Sequence, residues 1–521
     1  IGTQEHLKNP SITNIKNYFK RYYVPNNVAI CLAGDFDPDK TIAVIDKYFG
    51  DWKRNDNLSF PQYAPLPKLT TRIDTTVVGL EAPNVLVGWR TDAAADLQTD
   101  TLNVISHLLN NGKAGLFDID LNNPMKVMGA ETGLQSDHDY GIFLLQGTPK
   151  EGQGLVEVRQ LMLKEIDKLK KGQFSDDLLP SVVNNMKLSF YQSLRSNDKR
   201  ANRFVNAFIN DQKWEDKVNS IDRISKMTKQ QIVDFANRFF TDGYVTVFKI
   251  QGNDTTIHKI EKPQITPIPT NNDKQSAFLK EIVAAKPEPI QPKFVDFKRD
   301  LTVTRTKKGL EYLYKKNTND NLFSLTYHYP FGDESDNQYA IAADYLSYVG
   351  TDKLTNEKIN QLFYKLACSY SVSVSDDAID IMLRGLDSNM PEAVKLLENV
   401  LQGAKADKNS YNQYVGLVLK SRADNKTNQR ANFNVLRQLG EYGSYNPQLN
   451  IMSEQQLRSA DPQALLNKLK NLNNYKATVM YFGPTDLKTV DGIISSTHVT
   501  PKKFEAAPAA KPYLHQPTNR T

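Results

Sequence analysis

The sequence predicts an α+β protein built from repeated homologous domains, each a mixed β-sheet packed against helices. One observation is a helix–strand–helix element that occurs three times, its strand ending at Gly34, Gly252 and Gly483. These glycines lie 218 and 231 residues apart. The second observation is that strands followed by a helix precede each of the last two copies of this element, in the same order. Self-similarity at a fixed period indicates a repeated structural unit.

Each copy of this closing element begins with an amphipathic helix and continues into an apolar strand and a second helix. The helices have apolar residues at three-to-four spacing. The strands are rich in β-branched and aromatic residues, which predicts that they are buried in a sheet. The copies read ITNIKNYFKRYY, VAICLAGDFD and TIAVIDKYFG; KQQIVDFANRFF, YVTVFKIQGND and TTIHKI; PQALLNKLKNL, KATVMYFGPTD and LKTVDGII.

The front of the unit is visible in the last two copies. Val78–Arg90 is predicted to form paired strands, followed by the helix DTLNVISHLLNNGKAGLF. Leu310–Phe331 is predicted to form strands, followed by the helix YAIAADYLSYVGTDKL. Long helices are expected at Leu155–Lys171 and Pro391–Gly403 in the middle of each unit.

The repeats and the proline content together predict the domain organisation. Proline-rich stretches are typical of extended connectors, and the one between the last two repeats contains Pro263, Pro267, Pro269, Pro287, Pro289 and Pro292. We expect further domains before Ile1 and after Thr521. The predicted divisions are the tail of a first repeat domain (1–72), a second repeat domain (73–256), a linker between halves (257–300), a third repeat domain (301–495) and a second linker (496–521).

Composition excludes several classes of protein. The net charge of +6 over 521 residues, without a clustered basic face, argues against nucleic-acid binding. No apolar run reaches the length of about eighteen residues that a membrane span requires. The two cysteines, Cys31 and Cys368, are too few for a disulfide framework and are expected to be buried thiols.

Three stretches of the sequence resemble the insulinase/pitrilysin family of zinc metallopeptidases, in particular its long multi-domain bacterial form. The resemblance implies a clamshell of two halves around a chamber in which peptides are cleaved. It also implies an inverted zinc motif, H-x-x-E-H, with a further Glu ligand from a later helix. The stretches are IGTQEHLKNPSITNIKNYFKRYYVPNNVAICLAGDFD, LLNNGKAGLFDIDL with the later GTPKEGQ, and YLSYVGTDKLTNEKINQLFYKLACSYSV.

The positions that correspond to the zinc motif can be located in the second and third repeats, and neither repeat has the required residues there. The third repeat has Ile341, Asp344 and Tyr345 at the three positions, and Asn409–Arg422 on the later helix contains no acidic residue. An isoleucine cannot bind a metal, and neighbouring groups on a helix do not converge on one ion.

The second repeat has Asn103, Ser106 and His107 in the same register. The run Asp137–Tyr140 is interpreted as a solvated turn. We therefore assign no catalytic, metal-binding or cofactor-binding residue to this chain.

The resemblance leaves two hypotheses about function. In the first, the chain is part of a zinc-dependent metalloendopeptidase and forms chamber wall and substrate-binding shell, inactive by itself. Zinc would then lie in the full-length parent, and the partners would be an extended peptide substrate and missing N-terminal and C-terminal domains. In the second, the chain is a non-catalytic homologue that serves as a structural or substrate-binding partner of an active peptidase chain. A bacterial periplasm or cell envelope is the expected location.

Overall fold

The computed structural model describes residues 4–8, 10–256, 260–261, 264, 270, 272–289, 291–306 and 308–517. They fall into two compact units, which are described separately. The first unit comprises residues 1–30, 34–64 and 254–300, and the second comprises residues 31–33, 65–253 and 301–521.

The secondary structure alternates strands and helices along most of the chain. The strands are β1 (Ile73–Gly79), β2 (Asn84–Thr91), β3 (Gly129–Ser136), β4 (Gly141–Thr148), β5 (Val245–Gln251), β6 (Thr302–Arg305), β7 (Glu311–Lys316), β8 (Leu322–Tyr329), β9 (Gly350–Thr351), β10 (Cys368–Val374), β11 (Ile379–Leu386), β12 (Ala404–Lys405) and β13 (Thr478–Gly483). The helices are α1 (Gln4–Lys8), α2 (Ile12–Tyr22), α3 (Pro38–Phe49), α4 (Gln98–Leu109), α5 (Leu155–Lys170), α6 (Leu178–Ser193), α7 (Asn197–Ile209), α8 (Trp214–Val218), α9 (Ser220–Ser225), α10 (Lys229–Phe239), α11 (Ala277–Ala284), α12 (Gln338–Leu346), α13 (Asn356–Lys365), α14 (Met390–Gly403), α15 (Lys408–Asn425), α16 (Gln429–Tyr442), α17 (Glu454–Ser459), α18 (Pro462–Lys470) and α19 (Leu487–Thr497).

The first copy of the closing element keeps its helices but not its strand. The side chain of Ser11 caps α2, and that of Asp37 caps α3. The strand predicted for VAICLAGDFD is absent from residues 28–37. A strand requires a neighbour for its backbone hydrogen bonds, and no described strand pairs with this stretch. Its alternating apolar side chains Val28, Ile30 and Leu32 are consequently exposed.

The second unit contains two large mixed sheets with one shared topology. Their strand orders are β1-β5-β2-β4-β3 and β10-β11-β8-β13-β7-β6. The strand of the closing element lies between two earlier strands of its repeat: β5 lies between β1 and β2, and β13 lies between β7 and β8. It runs parallel to β1 or β7 and antiparallel to β2 or β8. The pairing of strands expected within Val78–Arg90 is therefore wrong, because β5 lies between β1 and β2 and takes their hydrogen bonds. The strands expected within Leu310–Phe331 are present as β7 and β8.

Helices cover the buried faces of both sheets. In the second repeat, Val85 and Val87 of β2 and Phe143 of β4 pack into one cluster with α4 and α5. The guanidinium of Arg159 on α5 lies 2.8 Å from the carboxylate of Asp74 on β1. The predicted α+β class, with mixed sheets packed against helices, is confirmed. The clamshell arrangement and the domain divisions stay predictions.

In the third repeat, a buried polar pair joins the closing element to the core. The Nδ1 atom of His498, which follows α19, lies 2.8 Å from Oε1 of Glu398 on α14. The imidazole stacks on Tyr327 of β8 with ring centres 4.7 Å apart. Since both members of the pair are buried, each depends on the other for a hydrogen-bond partner.

The two proline-rich segments contain more structure than composition indicates. Helix α11 lies within the predicted linker 257–300, and its N-terminus is capped by Ser276. Pro263, Pro267 and Pro269 lie outside the described residues. Although 496–521 has the composition of a linker, Tyr513 is buried and its amide donates to Glu334. This segment is therefore held on the third repeat.

The two cysteines differ in burial. Cys368 on β10 is buried, and burial raises the pKa of its thiol to about 12. Cys31 is only half-buried, so the expectation of two buried thiols is wrong for this one. The stretch around Cys31 lacks the paired strand that would have covered it.

We expect Glu398→Ala to lower the free energy of unfolding by about 3 kcal/mol, because it leaves the buried His498 without its partner. Urea unfolding followed by circular dichroism measures this change. The matched control is Glu392→Ala, an exposed position on the same helix, which should shift stability by less than about 0.5 kcal/mol. Equal effects of the two substitutions would contradict the structural role of the pair.

The stability of the third repeat should also depend on pH through Asp333. Burial, followed by the nearby carboxylates of Asp376 and Asp336, raises the pKa of Asp333 from 3.8 to about 6. The folded state therefore binds this proton more tightly than the unfolded chain. The resulting stability is fully present below pH ~4 and is lost as the pH rises through the folded pKa. We expect the urea midpoint of the natural chain to rise between pH 7 and pH 5 relative to that of Asp333→Asn. Parallel pH profiles would refute this.

Candidate functional site

The degenerate zinc motif of the third repeat lies on α12, which begins where the carboxylate of Asp336 accepts the amide of Gln338. Ile341 is half-buried and packs against the hydrophobic core. Tyr345 is fully buried, whereas Asp344 is exposed. The three positions therefore point in different directions and do not converge.

Tyrosines from α15 fill the space beside this helix. The ring of Tyr345 lies 5.1 Å from that of Tyr411 and 5.5 Å from that of Tyr414. The Tyr414 hydroxyl donates to the Asp344 carboxylate at 2.9 Å. The Tyr345 hydroxyl donates to the carbonyl of Asp407 at 3.0 Å. The helix that would supply a glutamate ligand in the family thus supplies phenol rings.

These residues do not fit zinc. A zinc site needs three protein donors that surround one point, and Ile341 has none. Burial, with the Asp344 carboxylate nearby, raises the pKa of Tyr414, and burial raises the pKa of Tyr345. Both phenols therefore stay protonated and act as hydrogen-bond donors. Among the described residues, no three His, Cys, Asp or Glu side chains are grouped so that they could hold a metal ion.

The same register in the second repeat lies on α4. Ser106 is held by a 2.8 Å hydrogen bond between its hydroxyl and that of Thr132 on β3. Asn103 and His107 instead line a cavity of about 580 Å³. One imidazole and one amide are too few donors for zinc, so this position does not fit the metal either.

A buried carboxylate organises the loop after α4. Asp118 accepts hydrogen bonds from the amides of Asn111, Lys113 and Gly115 and from the side chain of Asn110, at 2.7 to 3.2 Å. Burial nevertheless raises the pKa of this carboxyl group. The sequence signal for this arrangement is an acid three residues after the Gly-Lys-Ala-Gly turn, and it was not recognised from the sequence.

This loop brings a cation to the third repeat. The Lys113 ammonium lies 5.6 Å from the ring centre of Tyr370 on β10, and burial lowers its pKa. Lys113 also lines a cavity of about 450 Å³ between α12 and the β10 strand. Asp344, Ser371 and Ser373 are further lining residues. A groove with one cation thus runs beside the degenerate motif.

The run Asp137–Tyr140 joins β3 to β4 as a turn. The Nδ1 atom of His138 lies 2.7 Å from Oδ1 of Asp139, and both side chains are exposed. The Tyr140 hydroxyl accepts the amide of Leu66 at 3.1 Å. These side chains do not gather around one point.

Within the part of the chain that the structure describes, none of the helices combines the length and apolar character that a membrane crossing requires.

Comparisons with known proteins give three findings. Residues 11–186 match the family described as peptidase M16 inactive domain. The chain is 23% identical over 256 residues to the zinc protease PqqE of Helicobacter pylori, a match that covers 46% of this chain and 55% of that protein. Among solved structures it is similar to the periplasmic protease PqqL of Escherichia coli, at 13% identity and a TM-score of 0.41, covering 99% of this chain and 60% of that one.

A further similar structure is the ferredoxin protease FusC in complex with Arabidopsis ferredoxin, at 12% identity and a TM-score of 0.48, again covering 99% of this chain and 60% of the other. The match spans about half the length of the curated relative. The resemblance to the insulinase/pitrilysin family of peptidases is confirmed by the match of residues 11–186 to the peptidase M16 inactive domain.

Proposed function

We propose that this chain is the non-catalytic portion of a zinc-dependent metalloendopeptidase, in which it forms chamber wall and holds extended peptide. The zinc and its general base would come from another domain or a partner chain. A periplasmic or envelope location stays a prediction.

One observation carries the proposal. The helix that bears the zinc motif in this family is kept at α12, with its sheet and its later helix, while the donor positions are taken by Ile341 and by tyrosines in a hydrogen-bonded cluster. Function depends on the residues of a site and not on the fold that holds them. A fold without the metal ligands therefore lacks the zinc chemistry, while its surfaces can still bind peptide.

The groove between α12 and β10 supports peptide binding. β10 is the last strand at its edge of the sheet, and Ser369, Ser371 and Ser373 alternate as exposed side chains along it. An edge strand without proline or charged side chains can accept another strand. Main-chain hydrogen bonds to an added peptide strand give affinity with broad sequence tolerance.

We expect the purified chain to bind an extended fluorescent peptide without cleaving it, and to contain well below one zinc ion per chain after purification in zinc-containing buffer. Fluorescence anisotropy measures binding, mass spectrometry measures cleavage and elemental analysis measures zinc. The matched control is the same peptide methylated on alternate backbone nitrogens, which should bind more weakly because strand addition needs those donors. Zinc-dependent cleavage by this chain would refute the proposal.

The second hypothesis, a partner of a separate active peptidase chain, predicts a different composition of the native complex. Isolation from its source should then yield this chain together with a second polypeptide that contains H-x-x-E-H. A single polypeptide that contains both this sequence and an intact motif would exclude it and favour a multi-domain enzyme.

We expect Tyr414→Phe to lower the free energy of unfolding by about 1 kcal/mol, because the hydrogen bond to Asp344 is lost while the ring is kept. Peptide affinity should change little. The control is Tyr191→Phe, an exposed tyrosine, which should leave stability unchanged in the same urea titration. A gain in stability from Tyr414→Phe would argue against a structural role for this contact.

A further inference from the structure

The cavity beside the zinc-motif register of the second repeat is a distinct site. It measures about 580 Å³ and lies among α4, α6, α7, α8 and α9. Asn103 and His107 line it from α4, and Arg203 and Lys217 from α7 and α8. It therefore differs from the groove of the proposed function, which lies beside α12 in the third repeat.

Two cations in this cavity lack a carboxylate partner. The Arg203 guanidinium donates to the hydroxyl of Ser193 at 2.9 Å and lies 4.3 Å from the ring centre of Phe190. The Lys217 ammonium donates to Oε1 of Gln212 at 3.1 Å. No carboxylate oxygen of the described residues lies within 4.0 Å of either cation.

The cavity lining also includes three carboxylates, those of Asp96, Asp100 and Asp216. The Asp100 carboxylate accepts from Nε of Arg223 at 2.8 Å, and another nitrogen of Arg223 donates to the carbonyl of Asp216. Gln212 is also fixed, since its amide nitrogen donates to the carbonyl of Ala94. Rearrangement of these groups to neutralise Arg203 and Lys217 would break existing hydrogen bonds.

Burial makes the positive charge of both side chains less favourable. It lowers the pKa of Arg203. Burial followed by repulsion from Arg203 lowers the pKa of Lys217, while the Asp100 carboxylate acts in the opposite direction. A negative charge placed between two half-buried positive charges offsets part of the cost of burying them. Guanidinium and ammonium groups bind oxyanions through short charge-assisted hydrogen bonds.

We propose that this cavity binds an oxyanion, a carboxylate or phosphate group, between Arg203 and Lys217. Asn103, Asn202 and Ser189 also line the cavity and offer neutral donors for the remaining oxygens. The helix that holds a metal in catalytic repeats of the family would here border an anion site. The inference goes beyond the proposed function and does not depend on peptide cleavage.

The test is isothermal titration calorimetry of the full chain with inorganic phosphate, with acetyl-triglycine and with acetyl-triglycine amide. We expect phosphate or the free acid to bind. The amide should not bind, and it should not compete with either anion. Binding of phosphate alone identifies a phosphate site, and binding of the free acid alone identifies a carboxylate site. In either case Arg203→Gln with Lys217→Gln should weaken the affinity by at least about tenfold.

The matched control is Lys164→Gln, an exposed lysine on α5, which should bind like the natural chain. If the double variant does not fold, Lys217→Met alone keeps the hydrocarbon stem and removes the charge. It should unfold at the natural temperature or higher without ligand and show no stabilisation by the anion. The proposal is overturned if neither anion binds at millimolar concentrations, or if the variants bind as tightly as the control.

Discussion

The sheets of this protein depend on backbone hydrogen bonds to a strand that the chain reaches last. In the second repeat Ile73 pairs with Val245, and in the third Glu311 pairs with Thr478. Without β5, strands β1 and β2 would have no common neighbour, and without β13 the same would hold for β7 and β8. The helices that lie in the sequence between the early strands and the closing strand, including α4 and α12, pack on a sheet that β5 or β13 completes. The first copy shows the converse, because residues 28–37 have the pattern of such a strand and, without partners among the described residues, do not form one.

The same constraint explains how catalytic donors can be lost without loss of fold. The sheet and the packing of its helices fix where α12 and α15 lie, so the residues between them only need to fill space and satisfy hydrogen bonds. Tyr345 and Tyr414 do both, with buried rings and with hydroxyls bonded to Asp407 and Asp344. Aromatic packing and hydrogen bonds thus stabilise the contact between α12 and α15. The groove beside it stays open and contains Lys113 from the neighbouring repeat.

Sequence reasoning predicted the local elements well and the long-range arrangement less well. The strands of the last two closing elements, and the helices before them, were readable from apolar spacing because this pattern is a local property. The second helix predicted from TTIHKI falls partly on residues outside the described part of the chain. The interpretation of Ile341 as a lost donor came from the resemblance to the family. The insertion of β5 and β13 between earlier strands was not, since pairing between distant segments leaves no local signature. The loop around Asp118 and the cations Arg203 and Lys217 were missed for a related reason. Asp118 matters because donors surround its carboxylate, and the two cations matter because no carboxylate of the described residues pairs with them. Both depend on which segments pack together, and the local sequence does not contain that information.

The central claim is that a peptide groove persists beside a zinc register that has lost its donors. Hydrogen–deuterium exchange of the full chain, with and without a bound extended peptide, tests it most directly. If the peptide adds to the free edge of the sheet, the amides of residues 368–374 should exchange more slowly in its presence, while those of the opposite edge strand β6 should not change. Protection that leaves residues 368–374 unchanged and appears elsewhere would contradict the account.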